Sequence, residues 1–214
     1  MQRFMLKLIL CLVLFLIPNV AFAKQTDVIA KTQTIITEIV EKSYPELKKA
    51  KINVRMFESN ANYFQSQFSL TRFLTCQKLR YNLYVNPEVF NKNAPEQAIR
   101  AILAHELAHV LYYSERNRFE LLGLVSLIDK SFTAKFERRA DLEAIARGYG
   151  AGLIKYRRWL YQNIPAKNLD EKKRNYFSPE EIEKMLEILK QKPQMIDVWR
   201  KKVPHSFGEI SDKP

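Results

Sequence analysis

The sequence contains few cysteines and glycines, and its acidic residues are outnumbered by basic ones. Two cysteines in 214 residues exclude a fold that depends on several disulfides. Five glycines and nine prolines exclude a collagen-like or low-complexity chain. Only 23 residues are acidic while 35 are Lys or Arg, which gives a net charge of +12. This charge favours contact with an anionic surface but does not identify that surface.

Long apolar runs are also lacking, and the longest one, the ten residues Leu8–Ile17, lies near the N-terminus. Ten helical residues span only about 15 Å, half of a bilayer core. The basic residues Arg3 and Lys7 flank the start of this run, and the small-x-small sequence Ala21-Phe22-Ala23 follows it. This order is typical of a cleavable secretion signal. We therefore predict a signal peptide at residues 1–23 and a periplasmic or secreted protein, with an uncleaved membrane anchor as the alternative.

Cleavage of this signal would leave residues 24–214 as a single domain with one cysteine. Cys11 lies within the removed segment, so Cys76 would remain alone in a compartment that permits disulfides. No internal disulfide could then form, and we expect Cys76 to be a structural thiol rather than a metal ligand.

The first half of this domain alternates between helical and strand patterns. Residues 28–41 carry apolar side chains at helical spacing, and three later segments are typical of strands: Lys51–Phe57, Tyr63–Leu70 and Lys78–Val85. We predict that these strands form a small antiparallel sheet. Since the remaining pattern is helical, the predicted fold class is α+β and mostly helical.

Helix-start signals divide the second half. Asn93, followed by Pro95 and Glu96, predicts an N-cap for a helix that runs to about Tyr113. Ser178-Pro179-Glu180-Glu181 predicts a second capped helix, to about Lys190. The charged segment Lys167–Asn175 is interpreted as a connector, and Gly208–Pro214 as a loose tail.

The first of these helices contains the sequence His105-Glu106-Leu107-Ala108-His109. Residues four apart lie one turn apart on the same helix face, so both imidazoles can bind one metal ion. Glu106 projects beside them, where it can act as a general base toward water. Burying these polar side chains among apolar neighbours without a partner would cost several kcal/mol. The pattern predicts a hydrolytic zinc site, with two hydrogen-bonded core histidines as the alternative.

Catalytic zinc usually takes three protein ligands, so one more must come from elsewhere in the chain. Glu137 and Asp141 share one face of a predicted helix over residues 136–144. We predict that Glu137 completes the coordination and that Asp141 accepts the ring N–H of a ligating histidine, most simply His105. A solvated acidic face beside Arg138 and Arg139 is the alternative.

These motifs resemble those of the HtpX and CAAX prenyl protease family of gluzincin metallopeptidases. Residues 102–110 are similar to the family's first signature, and Glu137–Tyr149 (ERRADLEAIARGY) to its second. The resemblance implies a zincin-like fold, zinc ligands His105, His109 and Glu137, Glu106 as general base and Asp141 behind a ligand. The membrane-spanning helices and the helical-repeat appendage found in parts of the family are absent from the sequence.

Two weaker similarities concern substrate binding. The segment Asn60–Tyr63 resembles the Asn-Ala segment that leads into the family's substrate-binding edge strand, so a peptide is expected to add a strand near Tyr63–Leu70. His205 occupies the place of a His-Pro motif, with Ser206 instead of the proline, and is predicted to be catalytic as a donor to the developing oxyanion. A surface histidine in a frayed C-terminal tail is the alternative. Other candidates for this donor are Tyr112, Tyr113, Arg138 and Arg147.

The functional prediction is an exported zinc endopeptidase, and two other classes compete with it. A zinc-stabilised binding or chaperone-like module of the envelope would not need Glu106, which is not a ligand. A nucleic-acid-associated metalloprotease is disfavoured by the export signal and by the lack of a basic run interleaved with stacking aromatics. The segment Lys155–Tyr161 (KYRRWLY) comes nearest to such a run and is interpreted as the cationic side of a helix.

Overall fold

The computed structural model describes residues 27–126 and 130–211, so the predicted signal peptide at residues 1–23 lies outside the described residues. The three strands are β1 (Ile52–Met56), β2 (Phe64–Phe68) and β3 (Tyr81–Val85). The helices are α1 (27–43), α2 (Leu70–Leu74), α3 (Glu88–Asn91), α4 (Glu96–Ser114), α5 (Arg118–Ser126), α6 (Lys130–Ala146), α7 (Gly150–Asn163), α8 (Ala166–Asn175), α9 (Pro179–Gln191) and α10 (Met195–Lys201). The α+β class and the predominance of helix are confirmed. None of the described helices is both long and apolar enough to span a bilayer.

The sheet has three strands in the order β1-β3-β2 and is mixed, so the predicted antiparallel sheet is wrong. β2 and β3 are antiparallel, with Phe64 opposite Val85, but β1 and β3 are parallel, with Ile52 opposite Tyr81. The parallel pair needs a long crossover, and β2 with α2 provides it. Alternating polarity identified the strands but not their partners. β2 is an edge strand, with one side of its backbone unpaired within the sheet.

α4 is the central helix, and nearly every side chain from Ala98 to Leu111 is buried. It packs against α7, α6 and β2, while the Tyr44 hydroxyl at the end of α1 donates to the carbonyl of Ala104 at 2.8 Å. Gly152 permits the close approach of α7, because a Cβ there would lie 2.5 Å from the carbonyl oxygen of Gln97. A helix enclosed in this way holds its side chains in fixed positions.

The predicted helix boundaries are partly correct. Ser178 caps α9 with a complete capping box, as predicted. Asn93 is not the N-cap of α4; it takes a φ of +52° in the turn after α3, and Pro95 occupies the cap position. Asn tolerates the left-handed conformation, and here that tendency prevails over its capping tendency.

Two segments predicted to be irregular are ordered. Residues 166–175 form α8 rather than a connector; the helix is amphipathic, but the segment contains few apolar residues. α8 packs against α6 and buries Asn175, so tertiary contact compensates for the low apolar content. The C-terminal segment is not loose throughout, because Ile210 is fully buried.

Candidate metal centre

Three side chains from two helices meet at one point. His105 and His109 lie one turn apart on α4, and Glu137 reaches them from α6. The His105 Nε2 and His109 Nε2 atoms are 3.2 Å apart, and Glu137 Oε2 lies 3.1 Å from the first and 3.0 Å from the second. These are the three residues predicted as metal ligands. Their ligand atoms lie close enough together to bind one metal ion.

The dimensions of this triangle suit zinc. Ligand atoms placed 2.0–2.2 Å from zinc at tetrahedral angles lie about 3.3 Å from one another. The observed separations are only slightly shorter, so an ion bound to the three atoms requires little movement of the side chains. The fourth tetrahedral position is not filled by any of these three ligands.

The chemistry of the donors also requires a positive charge between them. The Nδ1 atom of His105 lies 2.8 Å from Asp141 Oδ1, and an ionised carboxylate only accepts, so Nδ1 carries the proton. In the neutral ring the Nε2 atom then carries a lone pair instead of a proton, and this lone pair faces the carboxylate of Glu137. Two acceptors at 3.1 Å repel each other unless a cation or a proton lies between them. The residues present therefore fit a zinc ion.

Without a metal, protons would supply this charge. Burial lowers the pKa of His105, but the charges and hydrogen bonds of Asp141 and Glu137 raise it more, to about 9. Burial raises the pKa of Glu137, but His109 and His105 lower it by more than burial raises it. The pKa of Glu137 therefore lies well below its usual range. The cluster is thus electrostatically prepared for a cation.

Asp141 is fully buried and accepts the ring N–H of His105, which is the contact predicted from the sequence. This hydrogen bond fixes the orientation of the His105 ring. The Oδ1 atom of Asp141 also accepts a hydrogen bond from Arg157 Nη2 at 2.7 Å, and its Oδ2 atom accepts one from the backbone N–H of Phe177 at 3.1 Å. Burial raises the pKa of Asp141, and the charges of Arg157 and His105 lower it more. The carboxylate is therefore ionised and fully engaged.

Sequence reasoning missed Arg157. It was placed on the cationic side of a helix, but only 1% of its surface is exposed, and its guanidinium lies 4.3 Å from the centre of the Tyr176 ring. A helical-wheel reading of α7 could have found it, because Arg157 lies between the buried residues Leu153 and Leu160 on one face. Its neighbour Arg158 is exposed and pairs with Glu183.

Glu106 lines a cleft next to the ligand triangle, and Tyr176, whose ring centre lies 5.8 Å from that of His105, lines the same cleft. The cleft is narrow, with about 20 Å³ open to the centre of a water molecule, and lies between α4, α7, α8 and the residues before β2. Glu106 is 6% exposed, and within the described part of the chain its carboxylate accepts no hydrogen bond and forms no ion pair. A buried carboxylate without a protein partner is suited to hold water or a ligand. The cleft is lined by Ala61, Asn62, Tyr63, Phe64, Ile102, Glu106, Tyr156, Arg157, Leu160, Lys172 and Tyr176.

The predicted oxyanion donors are spread over several places. Tyr113 lies near the cluster, with its ring 6.4 Å from that of His109. Arg138 is bound to Glu181 and to the carbonyl of Pro204, and Arg147 is bound to Glu143 and Glu46, so both guanidinium groups are engaged in structural contacts. Tyr112 packs edge-on against Phe136, the ring that stacks on His109.

His205 lies at the surface, where its backbone N–H donates to Glu209 at 3.1 Å. The structure does not bring its ring into the group formed by His105, His109 and Glu137. A catalytic role for His205 stays a prediction. Cys76 is exposed, in a turn with a φ of +54°, and is not part of the cluster either.

Comparisons with protein-family models, with curated proteins and with solved structures found no match for this chain. The geometry of the site is therefore the basis on which a function is proposed.

Proposed function

We propose that the chain is an exported zinc-dependent endopeptidase of the HtpX-like gluzincin type that hydrolyses peptide bonds in envelope proteins. One observation carries this proposal: a His, His, Glu ligand set lies beside a glutamate that is not a ligand and that has no partner among the described residues. A structural metal needs the first feature but not the second. Export rests on the signal-like residues 1–23.

Zinc held by His105, His109 and Glu137 would act as a Lewis acid that polarises a carbonyl group and lowers the pKa of water. Glu106 would take a proton from the water whose oxygen bonds to the peptide carbonyl carbon. When the carbon–nitrogen bond breaks, this proton passes from Glu106 to the leaving amine, so one water is consumed and the carboxylate is restored. Asp141 and Arg157 would keep His105 in its orientation.

The substrate would bind as an additional strand along the unpaired edge of β2. This strand begins at Phe64, directly after the cleft residues Asn62 and Tyr63. A peptide that adds to β2 would therefore continue into the cleft that contains Glu106. Main-chain hydrogen bonds of this kind fix the direction of a peptide and leave its sequence open. The excess of basic residues makes an anionic envelope surface a further partner in this proposal.

The second candidate is a zinc-stabilised binding or chaperone-like module of the envelope. The burial of the cluster at the centre of the fold favours it, because metal binding there would contribute to folding. The unpartnered carboxylate of Glu106 argues for the enzyme.

The Glu106→Gln variant separates the two candidates. Gln keeps the size of the side chain but cannot accept the proton, so we expect zinc and fold to be retained and cleavage of an unfolded substrate protein to fall below about one thousandth of the wild-type rate. Glu115→Gln is the matched control, since Glu115 is an exposed carboxylate at the end of the same helix. Undiminished cleavage by Glu106→Gln, or no cleavage by zinc-loaded wild type, would contradict the proposed enzyme.

A further inference from the structure

The cleft beside Glu106 contains two cations with different surroundings. Arg157 is bound to Asp141, which in turn holds His105. Lys172 from α8 forms no ion pair with a carboxylate among the described residues. Its amine donates to Asn62 Oδ1 at 2.6 Å and lies 5.2 Å from the centre of the Tyr176 ring. An ammonium group has three donors, so Lys172 has donors left for a molecule in the cleft.

The position of Lys172 relates it to the path of a peptide. Asn62 and Tyr63 precede β2, and Lys172 lies against Asn62 and lines the same cleft as Glu106. A peptide that is added to β2 and reaches Glu106 would enter the cleft that this amine lines. Burial lowers the pKa of Lys172, and although the nearby carboxylates of Glu137 and Glu106 raise it in part, the pKa stays below its usual range. The amine is therefore partly desolvated and lies within the electric field of the site.

The neighbours of Lys172 in sequence do not share these features. Lys173 and Arg174 are exposed on the outer side of α8, and the Lys173 amine lies near the ring of Tyr161. Of the three consecutive basic residues, Lys172 is the one that lines the cleft. This difference provides a matched control of the same residue type on the same helix.

We propose that Lys172 is a catalytic residue that donates a hydrogen bond to the carbonyl oxygen of the peptide bond under attack. The inference rests on the proposed peptidase function. As the oxygen of water bonds to the carbonyl carbon, electrons of the C=O bond move to the carbonyl oxygen, and the ammonium stabilises the charge that develops there. When the C=O bond re-forms, the C–N bond breaks and the amine leaves with the proton from Glu106. Lys172 keeps its own proton throughout.

The test compares Lys172→Met with Lys173→Met and Asn62→Ala in the full mature chain. Removal of one donor to a developing oxyanion lowers kcat by about 10²- to 10³-fold, so Lys172→Met should show such a loss, with KM changed far less. Lys173→Met should match the wild type. Asn62→Ala removes the contact that ties α8 to the segment before β2 but keeps the amine, so it should lose far less than Lys172→Met. Zinc content should be the same in all variants.

A second readout does not depend on turnover. A phosphonamidate peptide carries a tetrahedral, anionic centre like that formed during addition of water to a carbonyl, and such analogues bind most strongly to groups that act in the transition state. Lys172→Met should weaken its binding by about the same factor as kcat, measured by calorimetric titration. A peptide of the same sequence with an ordinary amide bond should bind the Glu106→Gln single variant and the Glu106→Gln, Lys172→Met double variant with the same affinity, because neither cleaves it.

Three results would overturn the inference. Equal losses in Lys172→Met and Asn62→Ala would show that the lysine only ties α8 to the cleft. A loss confined to KM would show ground-state binding, for example of a substrate's terminal carboxylate. Unchanged kcat in Lys172→Met would show that Lys172 does not donate to the carbonyl oxygen, while the proposed peptidase function would stand. A wild type that cleaves no substrate would instead contradict the proposed function itself.

Discussion

The two sides of the motif on α4 differ in how completely their polar groups are paired. On the ligand side, Asp141 uses both carboxylate oxygens and His105 uses both ring nitrogens. On the cleft side, the carboxylate of Glu106 has no partner within the described chain, and the Lys172 ammonium has one polar partner. The ligand side is therefore part of the core that the fold depends on, while the cleft side is built to receive another molecule. Substitutions on the ligand side should change metal affinity and stability, and substitutions on the cleft side should change turnover alone.

The largest effect is expected from His109→Ala. The variant loses one of the metal ligands, so purified protein should contain almost no zinc where the wild type contains about one ion per chain. A ligand present at 1,000 times its Kd stabilises the folded state by about 4 kcal/mol, and the variant should lose stabilisation of this size. Elemental analysis and thermal unfolding with and without a chelator measure both effects. A wild type that holds no zinc and is equally stable in chelator would remove the basis of the metal centre.

The next effect concerns Arg157, whose guanidinium is buried against Asp141. Arg157→Met would leave the Asp141 carboxylate without its main counter-charge, and breaking a buried ion pair in this way costs about 3–5 kcal/mol. Because Asp141 orients His105, zinc affinity should also fall about 10- to 100-fold. Denaturant unfolding and zinc titration against a competing chelator provide the two measurements.

Arg158→Met is the control for this prediction. The side chain of Arg158 is 58% exposed and pairs with Glu183, so its loss should change the free energy of unfolding by less than about 1 kcal/mol and leave zinc affinity unchanged. Equal behaviour of the two variants would show that the buried pair behind His105 does not support the metal site.

A smaller effect is expected from pH. In the metal-free fold Asp141 and Glu137 raise the pKa of His105 to about 9, against the opposing effect of burial, while the unfolded value is 6.5. The protonated ring therefore stabilises the metal-free fold fully below pH 6.5, and this contribution is lost as the pH rises toward 9. Chelator-treated protein should show a falling Tm across this window. Zinc-loaded protein should show a smaller fall, because the metal replaces the proton. If Tm falls equally with pH in the chelator-treated and the zinc-loaded protein, the metal does not replace the proton on His105.

The sequence allowed the ligand side to be predicted because its residues are related by helical spacing. His105 and His109 are one turn apart, as are Glu137 and Asp141, so each pair could be placed on one face before any tertiary structure was known. The contact between the two pairs required only that two buried faces meet. Other local patterns were sufficient as well: alternating polarity predicted β2 within Tyr63–Leu70, and the Ser-Pro-Glu-Glu sequence predicted the capping box at Ser178.

Apart from Glu106, which lies in the motif itself, the cleft side could not be predicted in this way. Its residues come from elements that are brought together by tertiary packing, and Lys172 lies in a highly charged segment with few apolar residues, interpreted from its sequence as a connector. The parallel pairing of β1 with β3 was missed for a related reason, since alternation defines the face of a strand but not its neighbour. Arg157 was also missed but could have been predicted, because its place on the apolar face of α7 is visible in the sequence.

The smallest effect is expected at His205, a predicted catalytic residue that the structure does not bring to the ligand cluster. Its exposed position and the backbone bond to Glu209 give it no contact through which it would stabilise the metal centre. If the Lys172 ammonium is the donor to the carbonyl oxygen, His205→Ala should retain zinc, Tm and nearly all turnover. Steady-state cleavage by this variant, measured beside Lys172→Met, tests that choice. A loss of about 10²-fold in kcat with full zinc content would instead restore the histidine as the donor, because no structural consequence of removing an exposed ring could produce it.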